Sequence, residues 1–206
     1  MSYTMEQVKE LRERCGAGVL DCKKALEAVN GDIEKAIEHL RKKGIAQAEK
    51  KMERKMAAGV VDAYIHPGER LGVLLQVDCE TDFVGRNQEF RQFVHEIAMQ
   101  IAAYDPMAVS REEVPADVVA REKEIYASQM ADAKKPPPVI EKIVAGKLEK
   151  FYSTVCLLEQ PFVKNPDIVI KDHVTAKIAA LGENIVIRRF IRWELGEEIA
   201  RSQPTA

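Results

Sequence analysis

Carboxylates fall at every second position in Asp78-Cys79-Glu80-Thr81-Asp82. In an extended chain they would share one side, the oxygen-rich arrangement that a Mg2+ or Ca2+ ion takes up. The residues on either side decide against it. From Leu71 to Cys79 the side chains alternate, with Val73, Leu75, Val77 and Cys79 on one face and Leu74, Gln76 and Asp78 on the other, as in a half-buried strand. That strand stops before Asp82, because Thr81 is suited to cap a helix, and no metal site is predicted. What remains at this strand-to-helix corner is recognition chemistry: the carboxylate Asp82 beside the large ring of Phe83, with Val84 next. Phe83 can fold back into its own core, the fate of most large apolar side chains, or stand outward as a wedge.

Bond-making chemistry is not legible elsewhere. The sequence has no GxSxG, HExxH or GxxxxGK[ST] pattern, so it offers no enzyme site. Cys15, Cys22, Cys79 and Cys156 include no CxxC pair, and His39, His66, His95 and His173 lack ligand spacing, which predicts reduced thiols and no metal or other cofactor. Lys+Arg 31 against Asp+Glu 33 gives a net charge of -2, whereas binding a polyanion needs a concentrated positive surplus; direct nucleic-acid binding is not expected. No apolar run approaches the ~20 residues that cross a bilayer, and Met1 to Glu6 lack signal-peptide order, so the expectation is a soluble, cytoplasmic protein without a membrane partner.

The elements that must position the corner follow from periodicity. Met5, Val8, Leu11 and Cys15 form the stripe of a first helix ended by Gly16-Ala17-Gly18. A second helix from near Val19 turns Leu20, Ala25, Leu26 and Val29 inward. Asn30-Gly31 breaks the chain, and Asp32 caps a third helix with Ile33, Ala36, Ile37 and Leu40 inward and Gly44 as its stop. Residues 46–58, with interspersed charges and no aromatic for base stacking, read as a solvated connecting helix. Val60 to His66 and Leu71 to Cys79 form an antiparallel hairpin about Pro67-Gly68-Glu69-Arg70. A helix with Phe90, Phe93, Val94, Ile97, Ala98 and Ile101 inward ends at Tyr104. Residues 104–152 read as a helical hairpin, one helix started by the capping-box spacing at Ser110 and running to about Ala133, the other spanning Val139 to Tyr152, with Lys134 to Pro138 at the tip. It is either a second contact arm or a structural piece. Asp172 to Leu181 is a helix stopped by Gly182. Asn184 to Leu195 is a last strand with apolar residues and arginines on both faces, an edge for added surface or a sheet strand with solvated Arg188, Arg189 and Arg192.

Thr81-Asp82-Phe83-Val84, with Leu11-Arg12 and the stretch from Cys15 to Leu26, resembles the translation elongation factor Ts family over residues 4–196. The resemblance implies an α+β fold: a three-helix ubiquitin-associated-like module (1–45), a connecting helix (46–58), and an antiparallel-sheet core with packed helices and the hairpin (59–196), then a tail (197–206). It also implies a guanine-nucleotide exchange factor for translation elongation, acting on GDP-bound and nucleotide-free elongation factor Tu. Arg12, Val19, Leu20 and Lys23 would dock from the module, and Thr81, Asp82, Phe83 and Val84 from the core. Cys15 stands where the family commonly has Thr, Val19-Leu20 where Met residues are common, and Gly85 where Ala or Ser is usual. The single core resembles the short form, for which a homodimer supplies the second half. Arg188 to Arg192 contains no Cys, so that dimer would be non-covalent. The alternative is an adaptor whose three-helix module binds a peptide or ubiquitin-like surface.

Overall fold

The structure, a computed structural model, describes residues 3–49, 51, 54–130 and 136–197. It is an α+β fold whose first three helices pack on one another: α1 (Met5–Cys15), α2 (Val19–Ala28) and α3 (Ile33–Glu49). A reciprocal cap starts α1: Gln7 N–H donates to Thr4 Oγ1 and Thr4 N–H to Gln7 Oε1. Gly16 ends it in the left-handed region at φ 67°, where a Cβ would be strained. Asp32 Oδ1 accepts the Lys35 N–H ahead of α3. Val8, Leu11, Cys22, Ala25, Leu26 and Ala36 are the buried interior of this bundle.

Two expectations about the bundle change. Gly44 does not stop the third helix, which continues to Glu49 and packs against the later helix α8 (Ile170–Leu181). A Cβ on Gly44 would lie 3.4 Å from the Cβ of Ala179, so the glycine serves close approach of two helices rather than termination. Among the described residues the predicted connecting helix over 46–58 is not a separate element: α3 takes its first residues, Arg54 to Ala57 are not helical, and Lys50, Met52 and Glu53 lie outside the described residues.

The core is an antiparallel sheet of order β1-β2-β5, with β1 (Ala58–Ile65), β2 (Leu71–Cys79) and β5 (Ile185–Glu194). Its inner face carries Val60, Val73, Leu75, Val77, Cys79, Ile185 and Ile187. Against these pack α5 (Gln88–Tyr104), through the predicted stripe Phe90, Phe93, Val94, Ile97, Ala98 and Ile101, and Ile170 and Ile178 of α8. The register puts Val61, Ile65, Leu74, Ile191 and Trp193 together on the outer face, all exposed.

The helical hairpin is present as α6 (Ala116–Ser128) against α7 (Pro137–Val155). Ser110 opens a 3-10 turn, Arg111–Glu113, instead of capping α6, because Pro115 drives Val114 into an extended conformation that breaks the helix. The prolines start α7: Pro136 caps it, and Pro137 lies in the first turn, where a missing N–H costs nothing. The rest of the expected tip, through residues 131–135, lies outside the described residues, as do residues 198–206 of the expected tail. At the hairpin's root Arg111 bonds Glu149 and Glu159 and lies over the Tyr152 ring. A small ladder of β3 (Pro161–Phe162) and β4 (Asn165–Val169) was not read from the sequence. Among the described residues no helix is long and apolar enough to cross a membrane.

Candidate functional site

Beyond Glu80 the chain leaves the sheet, and Thr81, extended at φ -131°, caps the single-turn helix α4 (Asp82–Gly85). Its Oγ1 accepts the Val84 N–H at 3.4 Å, while its carbonyl accepts the Gly85 N–H and that of Asp82 accepts the Arg86 N–H. Within one turn Val84 and Gly85 face the core, which leaves the neighbouring positions facing out. Phe83 is 81% exposed, and Thr81 and Asp82 are exposed beside it. Val84, 4% exposed, anchors the corner from inside, so its side chain offers no surface to a partner.

The corner is held from three sides. Cys79 Sγ donates to the Thr81 carbonyl, and burial pushes that thiol's pKa up. The Arg91 guanidinium donates to the Gly85 carbonyl at 2.8 Å, which ties α4 to α5. Glu183, in the connection between α8 and β5, accepts the N–H groups of Glu80 and Thr81 and the Thr81 hydroxyl. Gly85 is buried, and an added Cβ would meet the Gly59 carbonyl oxygen and Cys79 Sγ only at ordinary contact distance. Asp82, Phe83, Arg86 and Asn87 together line a shallow depression.

The three alternating carboxylates part company here. Asp78 receives Arg188 Nε at 2.8 Å and Gln76 Nε2, Glu80 accepts the Asn184 N–H, and Asp82 faces outward on α4. Among the described residues no cluster of three or more His, Cys, Asp or Glu is arranged to hold a metal ion.

A second apolar projection stands at the head of α2. Cys22, Ala25 and Leu26 occupy the buried stripe, and Leu20, two residues before Cys22, falls about 200° away at 100° per residue. Leu20 is therefore 71% exposed, against the inward placement that its spacing predicted, and Val19 is 40% exposed. Lys23 is half-buried beside them and Arg12 is exposed on α1. The four module residues ride on the three-helix bundle and the Thr81 to Phe83 corner on the sheet core; the two have separate buried interiors and meet through α3 against α8.

The buried thiols are quiet. Burial pushes the Cys22 thiol up to about 11, and Cys156 likewise to about 11, so both are protonated and poorly nucleophilic near neutral pH. The arrangement suits recognition: two apolar projections on rigid supports, one carrying a carboxylate. Sequence reasoning missed Glu183 and Arg91, since neither belongs to a local pattern around residue 83.

A protein-family model described as Elongation factor TS matches residues 5–197. Among curated proteins, Elongation factor Ts of Carboxydothermus hydrogenoformans is 58% identical over 200 residues, covering 97% of this chain and 92% of that protein. Elongation factor Ts of Moorella thermoacetica is 57% identical over 196 residues, covering 95% and 97%. That of Thermodesulfovibrio yellowstonii is 54% identical over 197 residues, covering 96% and 98%.

Proposed function

The chain belongs to the elongation factor Ts family, and on that premise we propose that it is the guanine-nucleotide exchange factor of elongation factor Tu, with Phe83 as the wedge. It acts in translation elongation, in the cytoplasm beside its partner, on the GDP-bound and nucleotide-free states. No covalent bond is made or broken. If the factor binds the nucleotide-free state better than the GDP state, linkage requires that it weaken GDP by the same ratio. Mg2+ bridges phosphate to protein in near-ideal octahedral geometry, so a ring that displaces the supporting helices by a fraction of its width weakens nucleotide disproportionately. Moving a population from 1:99 to 99:1 takes ~5.5 kcal/mol of differential binding, more than one hot spot commonly supplies. Two surfaces therefore work together: Arg12, Val19, Leu20 and Lys23 from a module of residues 1–45, and Thr81, Asp82 and Phe83 from a core of residues 59–196.

The observation that carries this reading is a phenylalanine ring 81% exposed on a corner braced by Glu183, Arg91 and buried Val84. An ordinary core residue would be sealed. Replacement by Phe83→Ala is expected to slow release of fluorescent GDP from elongation factor Tu by about tenfold or more. Unchanged release from a folded variant would defeat the reading.

The outer sheet face supports the second half of the assembly, a non-covalent homodimer. Val61, Ile65, Leu74, Ile191 and Trp193 make a contiguous apolar patch of the kind that marks an interface.

A further inference from the structure

We infer that Glu183 is a positioning residue for exchange: its carboxylate clamps the strand end from which Phe83 projects. This rests on the exchange reading above. The helix carrying Phe83 is a single turn, too short to hold a direction by its own hydrogen bonds. Its direction comes from its neighbours. Val84 and Gly85 fix it from below and Arg91 fixes its last residue, but the point where the chain turns out of the sheet is held by Glu183.

One carboxylate makes three bonds there. Oε2 accepts the N–H of Glu80 at 3.1 Å and of Thr81 at 3.0 Å, and Oε1 accepts the Thr81 hydroxyl at 2.6 Å. The clasp is reciprocal, because Glu80 Oε1 accepts the Asn184 N–H at 2.7 Å. Each of two loops, about a hundred residues apart in the chain, thus gives a carboxylate to the other's backbone. Such bonds to a charged acceptor are shorter and stronger than neutral ones. Thr81 links the clamp to the ring: the hydroxyl that donates to Glu183 also accepts the Val84 N–H of α4. With Phe83 itself largely uncovered, little besides this frame sets where the ring stands.

The test compares Glu183→Ala with Glu183→Gln. Glutamine keeps an oxygen for the backbone N–H groups, and its amide can donate to the Thr81 hydroxyl, so it preserves the clamp without the charge. Amide hydrogen exchange at Glu80 and Thr81 should accelerate strongly in Glu183→Ala and stay near the parent rate in Glu183→Gln. With fluorescent GDP on elongation factor Tu, Glu183→Ala should lower the maximal release rate by roughly tenfold, within the ~100-fold that a 1 Å misplacement can cost, with the half-saturating concentration nearly unchanged. Glu183→Gln should restore the rate. In a Phe83→Ala background, Glu183→Ala should add nothing, because the group it aims is gone. Unaltered amide exchange in Glu183→Ala, or the same loss with and without Phe83, overturns the inference. Should Phe83→Ala release GDP normally while the amides respond, the exchange reading falls and the clamp stands. If Glu183→Ala does not fold, Glu183→Asp, one methylene shorter, carries the same comparisons.

Discussion

Phe83 and Leu20 are large apolar side chains that the fold does not use, and that separates their proposed contribution to binding from any contribution to stability. Phe83→Ala removes a ring with little native burial, so its effect on unfolding should stay within about 0.5 kcal/mol while GDP release slows. Denaturant midpoints and release rates on the same preparation check the pair. A different residue makes stability depend on pH just below neutral. His173 stacks on Phe162 at 4.5 Å between ring centroids and tilts against Phe93, with Glu96 Oε2 at 3.5 Å and Lys164 and Lys177 facing it. Burial lowers its pKa from the ordinary 6.5, outweighing the pull of Glu96 in the other direction. Below that value the unfolded chain binds the proton more readily than the native one, so stability is lost as pH falls through 6.5 toward the depressed native pKa. His173→Phe should flatten the melting temperature between about pH 7 and 5 relative to the parent, where histidine is the side chain that titrates.

Elements came out of periodicity where the signal was local. The β2 span and the inward stripe of α5 were legible because alternation and 3.6-residue spacing are properties of neighbouring residues. Glycine and proline were harder, since each has two structural uses. Gly44 reads as a helix stop by sequence but serves as a notch for Ala179 on α8. Filling that notch tests it. Gly44→Leu should destabilise by about 1–3 kcal/mol through overpacking and loosen α3 from α8. In Gly44→Ala the better helix former offsets the close 3.4 Å contact, leaving stability near the parent. Urea unfolding of both variants decides between notch and stop. Pro136 to Pro138 likewise read as a break, yet they begin α7, a position at which a fixed φ and an absent N–H are no handicap.

On the scale of the whole molecule, the sheet has helices on one face and apolar side chains on the other. A face that among the described residues leaves Trp193 63% exposed, with Ile191, Leu74, Val61 and Ile65 exposed beside it, invites a second layer. Trp193→Asp places a charge at that layer and should shift the protein from dimer to monomer in light scattering, with the fold retained because the side chain touches no core residue cluster. A parent protein that is monomeric at every concentration would remove the dimer proposal. The same face explains why β5 carries apolar residues on both sides: Ile185 and Ile187 serve the interior and Ile191 and Trp193 the exterior, with a bulge near Gln76 and Val77 re-registering the pair.

By itself the sequence determined the three-helix start, the half-buried strand and the capped corner that puts Asp82 and Phe83 side by side. These follow from spacing, caps and breakers, which act over a few residues. Only the tertiary structure decided that Phe83 and Leu20 face out while Val84 faces in, that Glu183 returns to bind Glu80 and Thr81, and that one sheet face carries exposed apolar side chains among the described residues. Those outcomes depend on where distant segments meet. A side chain's exposure and a hydrogen bond between remote loops are properties of that meeting, and no local pattern of residue types encodes them.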